Sequence, residues 1–252
     1  MTSVLSIGTT HPWNIAGVGL DMLVGHELGV RTVTVRTAVT AQDERGLHAI
    51  ETLSPYIVRA QFETAHPSET DAVRVGALTS AEMVAVVGEG LRSYHAVPIV
   101  VDPVFHASRG GVFADGSTIA ALREAILTLP NVIATPNIGE ARQLLGGRHI
   151  DRNSLAQAAR DVQQLGCRAV LLKGGHLPGN PVDALATRDD VELFDGARVD
   201  GELRGTGCLL AMALACALAQ GDTLSDAVRF ARAFVRRKIA SPRKFGGLPV
   251  AY

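Results

Sequence analysis

A chain of 252 residues, with 47% hydrophobic residues and 26 glycines, is long enough for one large three-layer α/β core and short for two independent units, so one domain over 1–252 is expected. The 24 Lys and Arg against 25 Asp and Glu give a formal net charge of -1. No global field therefore favours nucleic acid or an anionic membrane, and a small-molecule partner with a locally built phosphate site is expected instead.

Three cysteines, Cys167, Cys208 and Cys216, lack CxxC or Cys/His spacing, which argues against a disulfide framework or a structural zinc and suits a reduced cytoplasm. From Met1 the chain runs straight into an apolar segment over 4–7 with no basic leader, so nothing is expected to direct it out of the cell. No apolar run reaches the roughly 18 to 20 residues of a membrane helix.

In chain order, β-branched runs at 4–7, 32–39, 72–75, 98–101, 131–134 and 169–172 predict strands. Between them, apolar residues at helical spacing predict helices over 16–28, 55–64, 80–93, 117–129, 139–145 and 154–165. That alternation is the signature of βαβ units and a mostly parallel sheet with right-handed crossovers. After Lys173 the rhythm changes. Short runs at 183–187 and 191–194, parted by Arg188-Asp189-Asp190, predict a small antiparallel appendage, and helices over 207–220 and 224–239 close the chain before a tail containing Pro and Gly.

Ligands of open parallel sheets gather beyond the carboxyl ends of the strands. Gly205-Thr206-Gly207-Cys208 opens an apolar helix there, where converging backbone N–H groups form an anion hole; the bland alternative is a glycine-rich loop before a buried thiol. Cys208 reads either as a small core residue or as a thiol of lowered pKa at a helix N-terminus, able to take a proton from a hydroxyl. Asp102, followed by Pro103, stands at the edge of its strand and suits magnesium or its water shell, although such aspartates also cap turns. Asn137 with Glu140 three residues on is an N-cap pattern, with Glu140 left as a further candidate to face a metal. Lys173 beside Gly174 and Gly175 reads as a phosphate ligand or as a solvated lysine in a turn. No GxxxxGK[ST] or GxGxxG string is present, which argues against a P-loop or a dinucleotide site.

In order and spacing, Ala16-Gly17, Asp21, Thr37-Ala38, Gln42, Val75-Gly76, Leu78, Asp102-Pro103-Val104, Thr135-Pro136-Asn137, Glu140-Ala141, Lys173-Gly174-Gly175-His176-Leu177 and Gly205-Thr206-Gly207-Cys208 resemble the hydroxymethylpyrimidine and phosphomethylpyrimidine kinases of thiamin biosynthesis, members of the ribokinase-like superfamily. The resemblance spans nearly the whole chain. It implies a three-layer ribokinase-like fold and transfer from ATP with Mg2+ to the hydroxymethyl group of 4-amino-5-hydroxymethyl-2-methylpyrimidine, with its monophosphate as a further acceptor. By position it implies Cys208 as base, the amides of Gly205, Thr206, Gly207 and Cys208 as anion hole, and Lys173 and Asn137 on the nucleotide side. Asp102 and Glu140 become carriers of the magnesium shell, Asp21 and Gln42 contacts of the pyrimidine, and a homodimer is the expected assembly.

Departures fall on the substrate side. His11-Pro12-Trp13-Asn14-Ile15-Ala16-Gly17 stands where the family reads Asp-Pro-Ser-Gly-Gly-Ala-Gly, and Ala77 replaces a Met. Arg204 replaces a His, Leu209 a Thr, and Ser108-Arg109 a Lys-Ser pair. Trp13 and Ala77 are therefore the candidate determinants of the ring, with Trp13 either stacking on it or filling core. Two alternatives stay open: a kinase for pyridoxal or another hydroxymethyl heterocycle, and a non-catalytic heterocycle sensor on the same fold. The basic run from Arg229 to Lys244 reads as a solvated helix face rather than as a nucleic-acid site.

Overall fold

Parallel strands covered by helices are buried on both faces and read as unbroken apolar runs. The computed structural model, which describes residues 1–107 and 110–252, bears this out in β1 (Ser3–Thr9), β4 (Ala72–Val75), β5 (Ile99–Val101) and β6 (Val132–Ala134), all buried along their length. The Ser108-Arg109 departure lies outside the described residues. With β2 (Arg31–Gln42), β3 (Leu47–Thr52), β7 (Ala169–Lys173), β8 (Val182–Thr187) and β9 (Val191–Asp195), they form among the described residues a nine-stranded sheet of order β3-β2-β1-β4-β5-β6-β7-β8-β9. Pairing is parallel from β2 to β7 and antiparallel at β2–β3, β7–β8 and β8–β9. The chain winds first toward β2 and then back past β1 to β4, so the β1/β4 boundary is the topological switch point where a crevice opens.

Helices cover both faces. On one, α1 (Gly17–Glu27), α7 (Thr206–Ala219) and α8 (Leu224–Ala240) enclose a core of Val4, Leu20, Val100, Ile133 and Met212. The opposite face carries α2 (Pro55–Glu63), α3 (Ala81–Leu91), α4 (Gly116–Ala125), α5 (Ile138–Leu144) and α6 (Leu155–Gln163) over Ile7, Val75, Ile99 and Val170. Capping sets the starts: Ser80 Oγ accepts from the Met83 N–H at 3.1 Å and Asp115 Oδ1 from the Thr118 N–H at 2.8 Å, satisfying donors that a first turn leaves orphaned. Residues 209–217 of α7 are buried on every side, as expected of an apolar helix between a sheet and two other helices.

Three strands escape the sequence reading. In β3, Leu-His-Ala-Ile-Glu-Thr is largely exposed, because β2 and β3 form an antiparallel ribbon that runs beyond the end of β1. The tail folds into a hairpin of β10 (Arg243–Phe245) and β11 (Leu248–Val250), strands too short to show a period. The basic run is more paired than expected: exposed Arg229 pairs with Glu192 and Asp226, while the mostly covered Arg232 pairs with Asp183 at 2.9 Å and Lys238 with Glu27.

Candidate functional site

The carboxyl ends of β1, β4, β5, β6 and β7 deliver Thr9, Gly76, Asp102, Thr135 and Lys173 to one edge of the sheet, and the N-terminus of α7 points across it. Gly205 is the N-cap of α7 with φ +76°, and a Cβ there would lie 2.2 Å from the Ile15 carbonyl oxygen. Only glycine supplies that turn without strain. It leaves the N–H groups of Thr206, Gly207 and Cys208 in the first turn with no helical acceptor. At Gly207 a Cβ would lie 3.4 Å from both Asp102 Oδ2 and Lys173 Nζ, so the missing side chain keeps the helix end open toward that pair.

Below the helix end lies an alternating ladder of charge. Asp21 Oδ2 accepts from Ser6 Oγ at 2.6 Å and from Arg74 Nη1 at 3.0 Å. Arg74 Nη2 donates to Asp102 Oδ2 at 3.5 Å, and Asp102 Oδ1 accepts from Lys173 Nζ at 2.7 Å and Thr135 Oγ1 at 3.4 Å. Asp21, Arg74 and Asp102 are at most 1% exposed. Burial works against the charge on Lys173, but the Asp102 and Glu140 carboxylates outweigh it and hold the ammonium above its ordinary range. Lys173 is thus not the solvated turn lysine of the bland reading.

The Cys208 sulfur faces the Arg74 guanidinium and the Gly17 N–H. Of the two readings of this thiol, the lowered pKa is not what its surroundings produce. Burial pushes the thiol above its ordinary value, and Arg74 and Gly17 only partly oppose that rise. A helix N-terminus lowers a thiol pKa when solvent can stabilise the anion as well, and this sulfur is desolvated.

Asn137 and Glu140 form a complete capping box at the start of α5, Asn137 Oδ1 accepting from the Glu140 N–H at 2.9 Å and Glu140 Oε2 from the Asn137 N–H at 2.7 Å. The capping reading of Asn137 is what the backbone adopts, while its side-chain NH2 has no partner among the described residues. Burial raises Glu140 to about 7 against the pull of Lys173. Counting Asp21, Asp102 and Glu140 against Arg74 and Lys173, the buried cluster carries one carboxylate more than it has cations. Among the described residues no group of three or more His, Cys, Asp or Glu is set to hold a metal. Magnesium needs no such cage, since it takes one or two carboxylates together with water and phosphate oxygens. The surplus carboxylate fits a divalent cation of that kind. Glu140 is the freer holder, because both oxygens of Asp102 already accept bonds.

On the substrate side, Gln42 Nε2 donates to Thr40 Oγ1 at 2.7 Å on the protruding β2–β3 ribbon, and Ala77 is buried beside Gly76 just past β4. Asp21 Oδ1 is buried without a partner among the described residues. Such an acceptor is the kind that a ligand N–H satisfies. Trp13 belongs neither to the two main cores nor to an open stacking face: its ring meets Phe245 edge-on at 5.2 Å, lies against Gly246, and joins Ile15, Leu248 and Val250 in a small cluster. The neighbouring His11 is 3% exposed and accepts the Trp13 N–H through Nδ1 at 3.1 Å. Desolvation, with Arg204 nearby, lowers its pKa to about 4. The Arg204 N–H donates to the Pro249 carbonyl at 3.2 Å, tying the tail hairpin to the loop that enters α7.

Sequence reading passes over Arg74, although a lone arginine inside the four-residue apolar strand 72–75 is itself a signal, because a buried charge needs partners. It also misses the supports behind Lys173. Asp183 Oδ1 accepts from the Gly174 N–H at 2.9 Å while Arg232 holds its other oxygen. Arg198 clamps the carbonyls of Gly175, Leu177 and Gly179. These pairings are long-range and leave no local pattern.

The family model described as phosphomethylpyrimidine kinase matches residues 13–250. The chain is 37% identical over 246 residues to the hydroxymethylpyrimidine/phosphomethylpyrimidine kinase of Streptomyces coelicolor, covering 97% of this chain and 91% of that one. It is similar to a solved phosphomethylpyrimidine kinase of Clostridium difficile, with TM-score 0.83, 28% identity, and coverage of 94% of this chain and 99% of that one. A pyridoxal kinase of Staphylococcus aureus, solved with AMP-PCP and pyridoxal, superposes with TM-score 0.87 at 25% identity, covering 99% of this chain and 92% of that one.

Proposed function

This chain belongs to the phosphomethylpyrimidine kinase family, and from that premise we propose that it moves the γ-phosphoryl of ATP onto the hydroxymethyl oxygen of 4-amino-5-hydroxymethyl-2-methylpyrimidine, and in a second round onto the monophosphate. It is a phosphotransferase of thiamin biosynthesis, and the whole chain acts as one catalytic unit. The observation that carries the reading is the open end of α7 at Gly207, set against Lys173 and Asp102.

Phosphoryl transfer asks a protein mainly for positioning and charge neutralisation. The amides of Gly205 to Cys208 face the charge that develops on the transferring group, and Lys173, aimed by Asp102, adds a cation beside them. Asn137 presents its remaining amide donors on the nucleotide side. Glu140, with Asp102 behind it, would hold Mg2+, which when bound neutralises phosphate oxygens. Cys208 receives the hydroxyl proton, the Arg74 guanidinium and the Gly17 N–H favouring the thiolate against burial. On the ring side, Asp21 Oδ1 accepts from the exocyclic amine, and the Gln42 amide donates to a ring nitrogen. Ala77 and the Trp13 loop bound the ring.

Pyridoxal kinase neighbours keep a second substrate in view, and one assay separates the two. ADP release is measured with the hydroxymethylpyrimidine, its monophosphate and pyridoxal at equal concentrations. The proposal expects the two pyrimidines to win by about tenfold or more in kcat/KM, the scale of discrimination that one or two hydrogen bonds to the ring provide. Turnover with pyridoxal alone, or with none of them, would sink it.

A further inference from the structure

We infer that Arg74 is a positioning residue that couples the pyrimidine half-site to the nucleotide half-site through the buried series Asp21, Arg74, Asp102 and Lys173. The inference rests on the assignment of Asp21 to the ring and Lys173 to phosphate given above.

Three observations carry it. First, the fold makes room for this guanidinium. Gly8 is the last residue but one of β1 and Gly76 follows β4, and a Cβ at Gly76 would stand 2.3 Å from Arg74 Nη1. Second, stability alone does not account for a charge at this depth, since buried ion-pair groups replaced by apolar residues of similar volume often leave a protein as stable or more so. Third, the two arms of the guanidinium are unequal. Nη1 lies 3.0 Å from Asp21, and Nη2 lies 3.5 Å from Asp102, whose other oxygen is held by Lys173 at 2.7 Å.

That inequality gives the coupling a direction. A phosphate that draws the Lys173 ammonium toward itself leaves Asp102 short of a cation, and Arg74 is the only other one bonded to it among the described residues. As the guanidinium leans toward Asp102 its hold on Asp21 weakens. Asp21, already carrying one unpartnered oxygen, becomes a stronger acceptor for the N–H groups of the ring. By linkage the ring then strengthens phosphate binding by the same factor.

The test is calorimetric titration of 4-amino-5-hydroxymethyl-2-methylpyrimidine with and without saturating AMP-PCP and magnesium, in wild type, Arg74→Lys and Arg74→Met, each checked for a cooperative melt. The wild type is expected to bind the pyrimidine about fivefold or more tightly with AMP-PCP present, the lower end of common coupling strengths. Arg74→Met should bring that factor near one. Arg74→Lys, whose single ammonium cannot bridge both carboxylates, should give a reduced factor. A merely structural Arg74 would lower the melting temperature and leave the factor intact, and an intact factor in either folded variant overturns the inference. Should neither variant fold, Asp21→Asn removes the charge that competes for Arg74, and a factor unchanged there overturns it equally. Independent binding of both ligands to wild type sinks the coupling alone, whereas failure to bind the pyrimidine sinks the proposed substrate and the coupling with it.

Discussion

Lys173 and Asp102, 71 positions apart in sequence, are joined at 2.7 Å across the ends of β7 and β5, with Asp102 almost fully enclosed and Lys173 mostly so. The aspartate aims the ammonium at the open end of α7 while Arg74 keeps it anchored from below. Lys173→Met should therefore lower kcat/KM for ATP by roughly 10² or more, as loss of a transition-state charge contact does, without weakening the binding of the pyrimidine alone. Equal losses in both would assign Lys173 to general folding or to the ring.

Two glycines three residues or fewer from Cys208 separate a binding defect from a folding defect. Gly207→Ala places its methyl at ordinary contact distance from Asp102 and Lys173, so the variant should fold, with a melting temperature within a few degrees of wild type, and lose ATP-dependent turnover by about 10² or more. Gly205→Ala must take φ +76° and meet the Ile15 carbonyl at 2.2 Å. It should lose at least about 2 kcal/mol of stability by denaturant unfolding. Reversal of the two phenotypes would show the helix end to be something other than the anion hole.

For Cys208→Ser we expect kcat to fall at least about tenfold with ATP binding preserved, the low end of general-base assistance. Burial raises the thiol above its ordinary 9.0, so the wild-type kcat should climb with pH on the alkaline side, and the serine variant should lack that rise. An unchanged pH profile removes Cys208 from proton transfer.

His11 supplies a stability signal of definite sign. Its folded pKa of about 4 lies below the ordinary 6.5, so between those values the unfolded chain binds a proton that the native state refuses, and stability falls as pH drops from 6.5 toward 4. Glu140, raised from 4.5 to about 7, acts with the opposite sign, because its native state binds the proton first. The useful quantity is hence the difference between wild type and His11→Asn, whose Oδ1 replaces the Nδ1 acceptor. His11→Asn should gain stability relative to wild type as the pH is lowered; parallel curves from pH 7 to 4 would mean that His11 is free to charge.

Trp13 reports on the tail hairpin. Removing its edge-on partner by Phe245→Ala should shift emission of the single tryptophan to longer wavelength, and Trp13→Ala should cost about 2 kcal/mol, less than the 3 to 5 of a fully buried aromatic. The indole packs on Phe245 and Gly246, so saturating pyrimidine should change this emission less than Phe245→Ala does. A larger response to ligand would restore Trp13 as a stacking partner of the ring.

Local chemistry wrote the sheet and its helices into the sequence. Alternating β-branched and helical runs set the parallel strands, Ser80, Asp115 and the Asn137/Glu140 pair mark helix starts, and the glycines at 205 and 207 announce the open start of a buried helix, because all of these act within a few residues of themselves. What the residues at the site do to one another was decided only by the tertiary structure. Arg74 has meaning only when β4, β5 and β7 share one sheet with α1 packed upon it, which brings Asp21, Asp102 and Lys173 within reach. The pKa of Cys208 rises rather than falls because desolvation is a property of the closed fold, and the place of Trp13 is set by a hairpin more than 200 residues away. Electrostatic partnership and burial depend on distance in space, which strand order creates and local sequence does not encode.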